Sequence, residues 1–86
     1  MAIYASPMVN RMSAVPPWQQ LADILRAQIV SGERAPGERI PSVVALGQEY
    51  ELATNTVRKA ITQLRREGLL VSRVGWGTFV AEPSAP

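Results

Sequence analysis

One cluster of side chains has types and spacing suited to binding a nucleic acid: the polar run Thr54-Asn55-Thr56, followed closely by Arg58 and Lys59. An asparagine can form two hydrogen bonds to adenine, and a threonine can bond a base edge or contact a thymine methyl group. Basic residues one turn further along a helix can reach backbone phosphates, which set register and affinity. The alternative is that Thr54 and Asn55 only cap the helix that they begin.

Composition excludes most other chemistry. The 86 residues contain no cysteine and no histidine, so thiolate catalysis, cysteine-ligated zinc, histidine metal sites and serine–histidine triads cannot form. The seven carboxylates are scattered along the chain. A region this small buries only about 60% of its unfolded surface, which makes an internal substrate pocket hard to build. We therefore expect no enzyme activity and no cofactor.

Charge is distributed unevenly along the chain. From residue 18 to 52, three basic residues stand against five acidic ones, a formal −2; from residue 53 to 80, five basic residues stand against one acidic residue, a formal +4. A local excess of positive charge favours binding to a polyanion, although a solvated helix face without a partner has the same composition. The basic half is the one that contains the polar cluster.

Three helices are predicted around this cluster. Helix 1 is expected over Pro17–Ser31, because proline suits a first helical position and apolar residues recur at helical spacing. Helix 2 should begin after Pro41, with Ser42 as its N-cap, and end near Tyr50. Helix 3 should run over Thr54–Glu67. The expected apolar stripes are Trp18, Leu21, Ala22, Leu25 and Ile29 in helix 1, widened by Ile24, Ala27 and Val30, and Val57, Ala60, Ile61 and Leu64 in helix 3.

Two short β-strands are expected after helix 3, at Leu69–Val74 and Gly77–Val80, because both segments are apolar and β-branched. The short turn between helices 2 and 3 is typical of a helix-turn-helix. Three helices followed by a two-stranded hairpin predict a mainly α domain with a small β-hairpin, that is, a winged helix-turn-helix whose hairpin is the wing.

The predicted tip of the wing is Val74-Gly75-Trp76-Gly77. Its two glycines could bring the backbone close to a DNA minor groove, with Arg73 beside it, or could only supply the positive φ of a tight turn. An exposed Trp76 is unusual in a plain turn, but this side chain could also fold back onto the core. Trp18 and Phe79 are expected to be core residues.

The chain is expected to divide into a flexible arm over residues 1–16, a winged-helix domain over 17–81 and a tail or linker over 82–86. No apolar run approaches the roughly 18 residues of a membrane span. The N-terminus also lacks the basic start and long apolar stretch of a signal peptide. We therefore expect a cytoplasmic protein with no membrane partner.

Three ordered segments carry a family pattern: LADILRAQIVSGERAPGERIPSVVALGQEY, then TNTVRKAITQLRREGLL, then GTFV ending at Val80. Together they resemble the DNA-binding domain of the GntR family, closest in character to its HutC- and YtrA-like branches. The resemblance implies a winged helix that binds palindromic operators as a dimer, with helix 3 in the major groove and the wing in the minor groove. It gives Asn55 and Thr56 base-reading places and Arg58 a phosphate-binding place. It also gives Gly75 the wing tip and matches Ser42 to the N-cap of helix 2.

Several positions depart from that family pattern. Val44 stands where many members have an arginine near the start of helix 2. Ala53 and Thr54 replace a common serine–arginine pair. Val74 and Trp76 flank the wing glycine where the family often has glutamine or histidine before it and arginine after it. At least two customary arginine contacts are missing, so we expect binding that is weaker, differently specific or more dependent on dimerisation.

The main hypothesis is therefore sequence-specific binding of double-stranded DNA for transcription regulation, as a repressor and as a homodimer on DNA. The candidate contact residues are Ser42, Thr54, Asn55, Thr56, Arg58, Lys59, Arg73, Gly75 and Trp76. The alternative is a winged helix that serves as a protein-interaction or dimerisation module, which the missing arginines and an exposed Trp76 would fit. No small-molecule effector site is expected within this chain, which stops six residues after Val80.

Overall fold

The computed structural model describes residues 9–10 and 12–82. Over these residues the chain forms the helices α1 (Pro17–Val30), α2 (Val43–Tyr50) and α3 (Thr54–Arg66), then the strands β1 (Leu70–Arg73) and β2 (Gly77–Val80). The predicted winged helix-turn-helix is confirmed, with α1, α3 and β1 each slightly shorter than expected. None of the helices among these residues is long and apolar enough to cross a membrane.

One apolar core holds the three helices and the hairpin together. Helix α1 packs against α3, which also packs against α2 and β1. The buried residues are Leu21, Ala22, Leu25, Ile40, Leu46, Tyr50, Val57, Ala60, Ile61, Leu64, Leu70 and Val80. Helix α3 contributes four of these twelve, as its predicted stripe requires, so the core fixes how α3 is rotated about its axis.

The apolar face of α1 is narrower than predicted. Ala27 and Val30 are exposed, so they do not widen the stripe, and Trp18 is only half-buried. Phe79 is likewise half-buried rather than a full core residue. The physical reason is that α1 covers one side of a small core, for which a stripe roughly 100° wide is enough.

The connection between α2 and α3 is short and tightly bonded. The backbone N–H of Leu52 donates to the carbonyl oxygen of Gly47 at 2.8 Å, and Glu51 takes a left-handed conformation with φ of 57°. A Cβ on Gly47 would lie 2.8 Å from the carbonyl oxygen of Leu52. The turn therefore leaves almost no space at Gly47, which holds α2 close to the start of α3.

The hairpin is anchored to the loop between α1 and α2. Strands β1 and β2 pair antiparallel, with Leu70 opposite Val80 and Arg73 opposite Gly77. On its other edge, β2 pairs with the loop at a single bridge between Arg39 and Phe79. The N–H of Ile40 donates to the oxygen of Thr78 at 2.9 Å there. Arg39 and Ile40 thus form a short extended piece that is the third member of the wing.

Part of the N-terminal stretch folds onto α1. The amide of Gln20 accepts from the N–H of Asn10 at 2.7 Å and donates to the carbonyl oxygens of Asn10 and Val15 at 2.7 and 2.8 Å. Val9 packs against the core. Residues 1–8 and 11 of the predicted flexible arm lie outside the described residues, as do residues 83–86 of the predicted tail. The rest of the arm is fastened by the Gln20 side chain.

Candidate nucleic-acid interface

The first turn of α3 carries the polar cluster and has no side-chain cap. Ala53 occupies the N-cap position, where its methyl group cannot accept a hydrogen bond, and no other side chain that the structure describes caps the helix. The interpretation that Thr54 and Asn55 only cap the helix is therefore wrong. Both side chains are exposed, and Thr56 is half-buried. An uncapped helix start offers backbone N–H groups and a partial positive charge to an anion.

Helix α3 separates an apolar face from a polar one. Its core side chains are essentially sealed from solvent, with Val57, Ala60 and Leu64 at 0% exposure. The side chains of Asn55, Arg58 and Lys59 are all exposed, and the spacings i, i+3 and i+4 put them on neighbouring parts of the helix surface. The core therefore orients three of the predicted contact residues outward together.

Two contacts with other elements hold the C-terminal end of α3. The Arg65 guanidinium donates to Ser72 Oγ on β1 at 2.9 Å. Glu67, the one acidic residue of the segment 53–80, accepts from Arg26 of α1 at 2.6 and 2.7 Å and from Gln63 at 2.9 Å. These bonds to the charged form lower the pKa of Glu67 to about 2, with the Arg26 bond as the main cause.

The charge balance of the interface follows from these pairs. Arg26 also bonds Asp23 at 2.6 Å, so this arginine and both acids form a compact network on the α1 side of α3. Among the described residues, Arg58 and Lys59 take part in no ion pair. Glu67 is therefore paired with Arg26 of α1, while the positive charges of Arg58 and Lys59 near the polar cluster stay available to a polyanion.

Lys59 has an aromatic neighbour. Its Nζ lies over the ring of Trp18 at 4.9 Å from the ring centroid, within the range of a cation–π contact. The contact joins the first turn of α1 to the middle of α3. The half-buried Trp18 ring therefore has a specific neighbour on α3.

The wing tip is open to solvent. Val74 is fully exposed at 101% and Trp76 at 69%, so the possibility that Trp76 folds back onto the core is wrong. Gly75 has φ of 80°, and a Cβ built on it would meet nothing within 4 Å. The Trp76 N–H donates to the Arg73 oxygen at 2.9 Å, which closes the turn. The hairpin thus presents glycine between two exposed apolar side chains, beside an exposed arginine.

Arg39 is a basic residue of the wing that the sequence analysis did not single out. A Cβ built on Gly77 would lie 2.8 Å from Arg39 Nε, so the guanidinium group lies directly against the wing backbone at the base of the tip. Sequence spacing separates the two residues widely. The sequence signal that could have found Arg39 is Pro41, which disfavours helix at Ile40 and so favours an extended segment that needs a partner strand.

The structure confirms Ser42 as the N-cap of α2. Its Oγ accepts from the N–H of Ala45 at 3.0 Å and caps α2. The side chain is exposed, but one lone-pair direction of Oγ is already used. Val44, which stands where the family pattern has an arginine, is 60% exposed on the first turn of α2. The start of α2 therefore offers one polar atom and one apolar side chain, with no positive charge.

A shallow groove of about 410 Å³ lies along the wing. It is lined by Gly37, Val71, Arg73, Trp76, Phe79, Val80 and Glu82. Polar and apolar surface line it in comparable amounts, with one charge of each sign. Within the part of the chain that the structure describes, no group of three acidic side chains is arranged to hold a metal ion.

Comparison with known proteins places the chain in one family. The family model described as "Bacterial regulatory proteins, gntR family" matches residues 17–80. Among curated relatives, the HTH-type transcriptional repressor NagR of Bacillus subtilis is 36% identical over 75 residues, which cover 87% of this chain and 31% of NagR. The chain therefore spans less than a third of that relative.

Solved structures match over most of the chain. AraR(DBD), solved in complex with operator ORE1, has a TM-score of 0.77 and 33% identity, and the match covers 92% of this chain and 95% of AraR(DBD). YtrA from Sulfolobus acidocaldarius, a GntR-family transcription factor, has a TM-score of 0.82 and 29% identity over 88% of this chain and 80% of YtrA. The pattern first seen in three segments of sequence thus extends to the three-dimensional fold.

Proposed function

This chain belongs to the gntR family of bacterial regulatory proteins, and we propose that it binds double-stranded DNA in a sequence-specific way to regulate transcription, as a repressor. One observation carries the proposal: α3 begins with an uncapped polar turn and continues with Arg58 and Lys59, which form no ion pair among the described residues. Two relatives support it, since NagR is described as a repressor and AraR(DBD) was solved with an operator.

In the proposed complex, α3 lies in the major groove with its N-terminus toward the bases. Asn55 and Thr56 read base edges, with Thr54 beside them, because their short side chains project from the first turn. Arg58 binds a backbone phosphate one turn further along. The wing lies over the adjacent minor groove with Gly75 at its tip, where the absence of a side chain lets the backbone approach.

We further propose that two copies bind a palindromic operator. One α3 contacts only a few base pairs, so a single domain gains limited specificity. Two copies related by a two-fold axis read half-sites about 34–36 Å apart, one turn of DNA. A symmetric operator with that spacing is the simplest site for such a pair.

The test measures binding to DNA from the promoter region of the gene that encodes this chain, by gel shift and fluorescence anisotropy at several salt concentrations. We expect a discrete complex that unlabelled specific DNA displaces and random DNA does not. Asn55→Ala should weaken the specific complex about 5- to 150-fold, because a good base contact is worth about 1–3 kcal/mol. It should leave non-specific binding nearly unchanged.

Arg58→Ala separates phosphate binding from base reading. It should weaken binding to all sequences and reduce the slope of log K against log salt by about one. Gln19→Ala, an exposed amide on the side of α1 away from the core, is the matched control and should change neither quantity. Two results would overturn the proposal: wild-type binding that ignores sequence, or an affinity that is unchanged in the double variant Asn55→Ala/Arg58→Ala.

A second candidate function is favoured by the wing alone. Val71, Val74 and Trp76 are exposed and apolar, and contiguous apolar surface often marks a protein contact. In that case the domain is a protein-interaction or dimerisation module. Retention on heparin with strong salt dependence supports the DNA proposal. Absence of retention, together with loss of self-association in Trp76→Ser, supports the alternative.

A further inference from the structure

We propose that Trp18 is a positioning residue for DNA binding: its ring holds the Lys59 ammonium group at the α1 side of α3, where the ammonium binds a backbone phosphate. The carrying observation is the contact of 4.9 Å between Lys59 Nζ and the ring centroid of Trp18. This inference rests on the proposed function, because it names a phosphate contact of the same DNA-binding surface.

The position of Lys59 on α3 fits such a contact. Lys59 lies four residues after Asn55, so both side chains lie on the same side of the helix, one turn apart. On the other flank, Arg65 is fastened to Ser72 of β1. A helix in the major groove has one phosphate backbone on each side. Lys59 therefore faces the backbone on the α1 side, away from the wing.

The type of contact matters for charge. A carboxylate partner neutralises the cation it holds, as Asp23 and Glu67 do for Arg26 at 2.6 Å. An aromatic ring attracts the ammonium through its quadrupole and carries no net charge. Lys59 therefore keeps its full positive charge, and those of its N–H donors that point away from the ring stay free for a phosphate.

The ring also reduces the flexibility of the lysine. A lysine side chain loses considerable rotamer freedom when it is fixed, and a free lysine meets that loss when it binds phosphate. The contact with Trp18 fixes the four-carbon stem beforehand. Trp18 itself is only half-buried and is neither a core residue nor one of the partly buried apolar residues that pack against the core, so its ring is placed to serve Lys59.

The test is a double-mutant cycle measured by DNA affinity. Trp18→Leu removes the ring but keeps apolar bulk, Trp18→Phe keeps a ring, and Lys59→Met removes the charge. We expect Trp18→Leu to weaken binding about 2- to 5-fold, the range of an exposed cation–π contact, and Trp18→Phe to stay within about 2-fold of the wild type. In the Lys59→Met background, Trp18→Leu should have no further effect.

Fluorescence gives a second readout that does not depend on affinity. In a Trp76→Phe background, whose own DNA affinity is measured first, Trp18 is the single tryptophan. Its emission should change when DNA is added, because its ring adjoins the ammonium that binds the phosphate. The same titration with Lys59→Met should leave the emission unchanged. This measurement keeps the test decisive even if Trp18→Leu unfolds.

Two outcomes overturn the inference. One is that Trp18→Leu lowers DNA affinity equally in the wild type and in Lys59→Met. The other is that Trp18→Leu leaves affinity unchanged and the Trp18 emission does not change when DNA is added. If the wild type binds in an Asn55-dependent way in those cases, only the role of Trp18 fails. If the wild type forms no sequence-dependent complex, the proposed function fails, and any loss from Lys59→Met then reports only non-specific phosphate binding.

Discussion

Helix α3 and the β1–β2 wing present opposite kinds of surface and are held by opposite means. Helix α3 buries four side chains in the core and turns polar and basic residues outward. The wing buries only Leu70 and Val80 and exposes apolar residues at its tip. It is held mainly by backbone hydrogen bonds to its own strands and to the loop at Arg39.

The difference separates two tasks that the domain has to perform. A base-reading helix needs a fixed rotation about its axis, and four core contacts supply it. A wing that follows a groove needs its backbone exposed and only its base fixed. Mutations in the buried face of α3 should therefore lower the stability of the whole domain, whereas mutations in the wing should mainly change the local order of the hairpin.

The largest expected effect tests that division in the core. Leu64→Ala removes a completely buried side chain and should lower the free energy of unfolding by about 2–5 kcal/mol. That is a large part of the stability of so small a domain. The matched control is Val71→Ala on the exposed side of β1, which should change stability by about 0.5 kcal/mol or less. Urea titration followed by circular dichroism measures both, and similar losses would contradict the comparison.

The next effect concerns the backbone of the wing. Gly77 has φ of 118°, and an added Cβ would lie 2.8 Å from Arg39 Nε. Gly77→Ala should therefore cost about 1–3 kcal/mol of local strain and push the Arg39 side chain away. Faster amide exchange in β1 and β2, with protection in α3 retained, is the expected result. Gly75→Ala, whose new methyl meets open space, should disturb the hairpin less; the reverse order would contradict the structure.

The core of α3 and the contacts of the wing also differ in how far the sequence predicts them. The buried face of α3 follows from apolar residues at helical spacing, and Ser42 as a cap follows from its residue type and place. The contacts of Arg39 with Gly77, of Lys59 with Trp18 and of Gln20 with the N-terminal stretch depend on how separate elements pack. No local pattern encodes that packing, so the spacing of apolar residues predicts Trp18 in the core, and nothing in the sequence near Arg39 marks its side chain as part of the site.

A smaller effect compares the starts of α2 and α3. Ser42→Ala removes a hydrogen bond of 3.0 Å to Ala45 and should destabilise the domain by about 0.5–2 kcal/mol. Ala53→Ser adds the missing cap to α3 and should stabilise it by a similar amount. Thermal melting of the two variants and the double variant measures this. A destabilised Ala53→Ser protein would mean that the start of α3 is not open to a cap.

The smallest effect concerns the ion pair that ties α3 to α1. Arg26 and Gln63 lower the pKa of Glu67 from 4.5 to about 2 in the folded chain. Between these values the unfolded chain binds more protons at this site, so the stabilisation is complete above about pH 4.5 and is lost as the pH falls toward 2. Glu67→Gln should therefore flatten the stability profile in this window.

The control for this effect is Glu33→Gln, an exposed acid of the loop after α1 that forms no ion pair among the described residues. Its profile should follow that of the wild type. The pair lies near the surface, where salt screens charges, so added salt should reduce the difference between Glu67→Gln and the wild type. If salt leaves the difference unchanged, Glu67 holds α3 through its hydrogen bonds more than through its charge, and the tie to α1 resembles the backbone bonds that hold the wing.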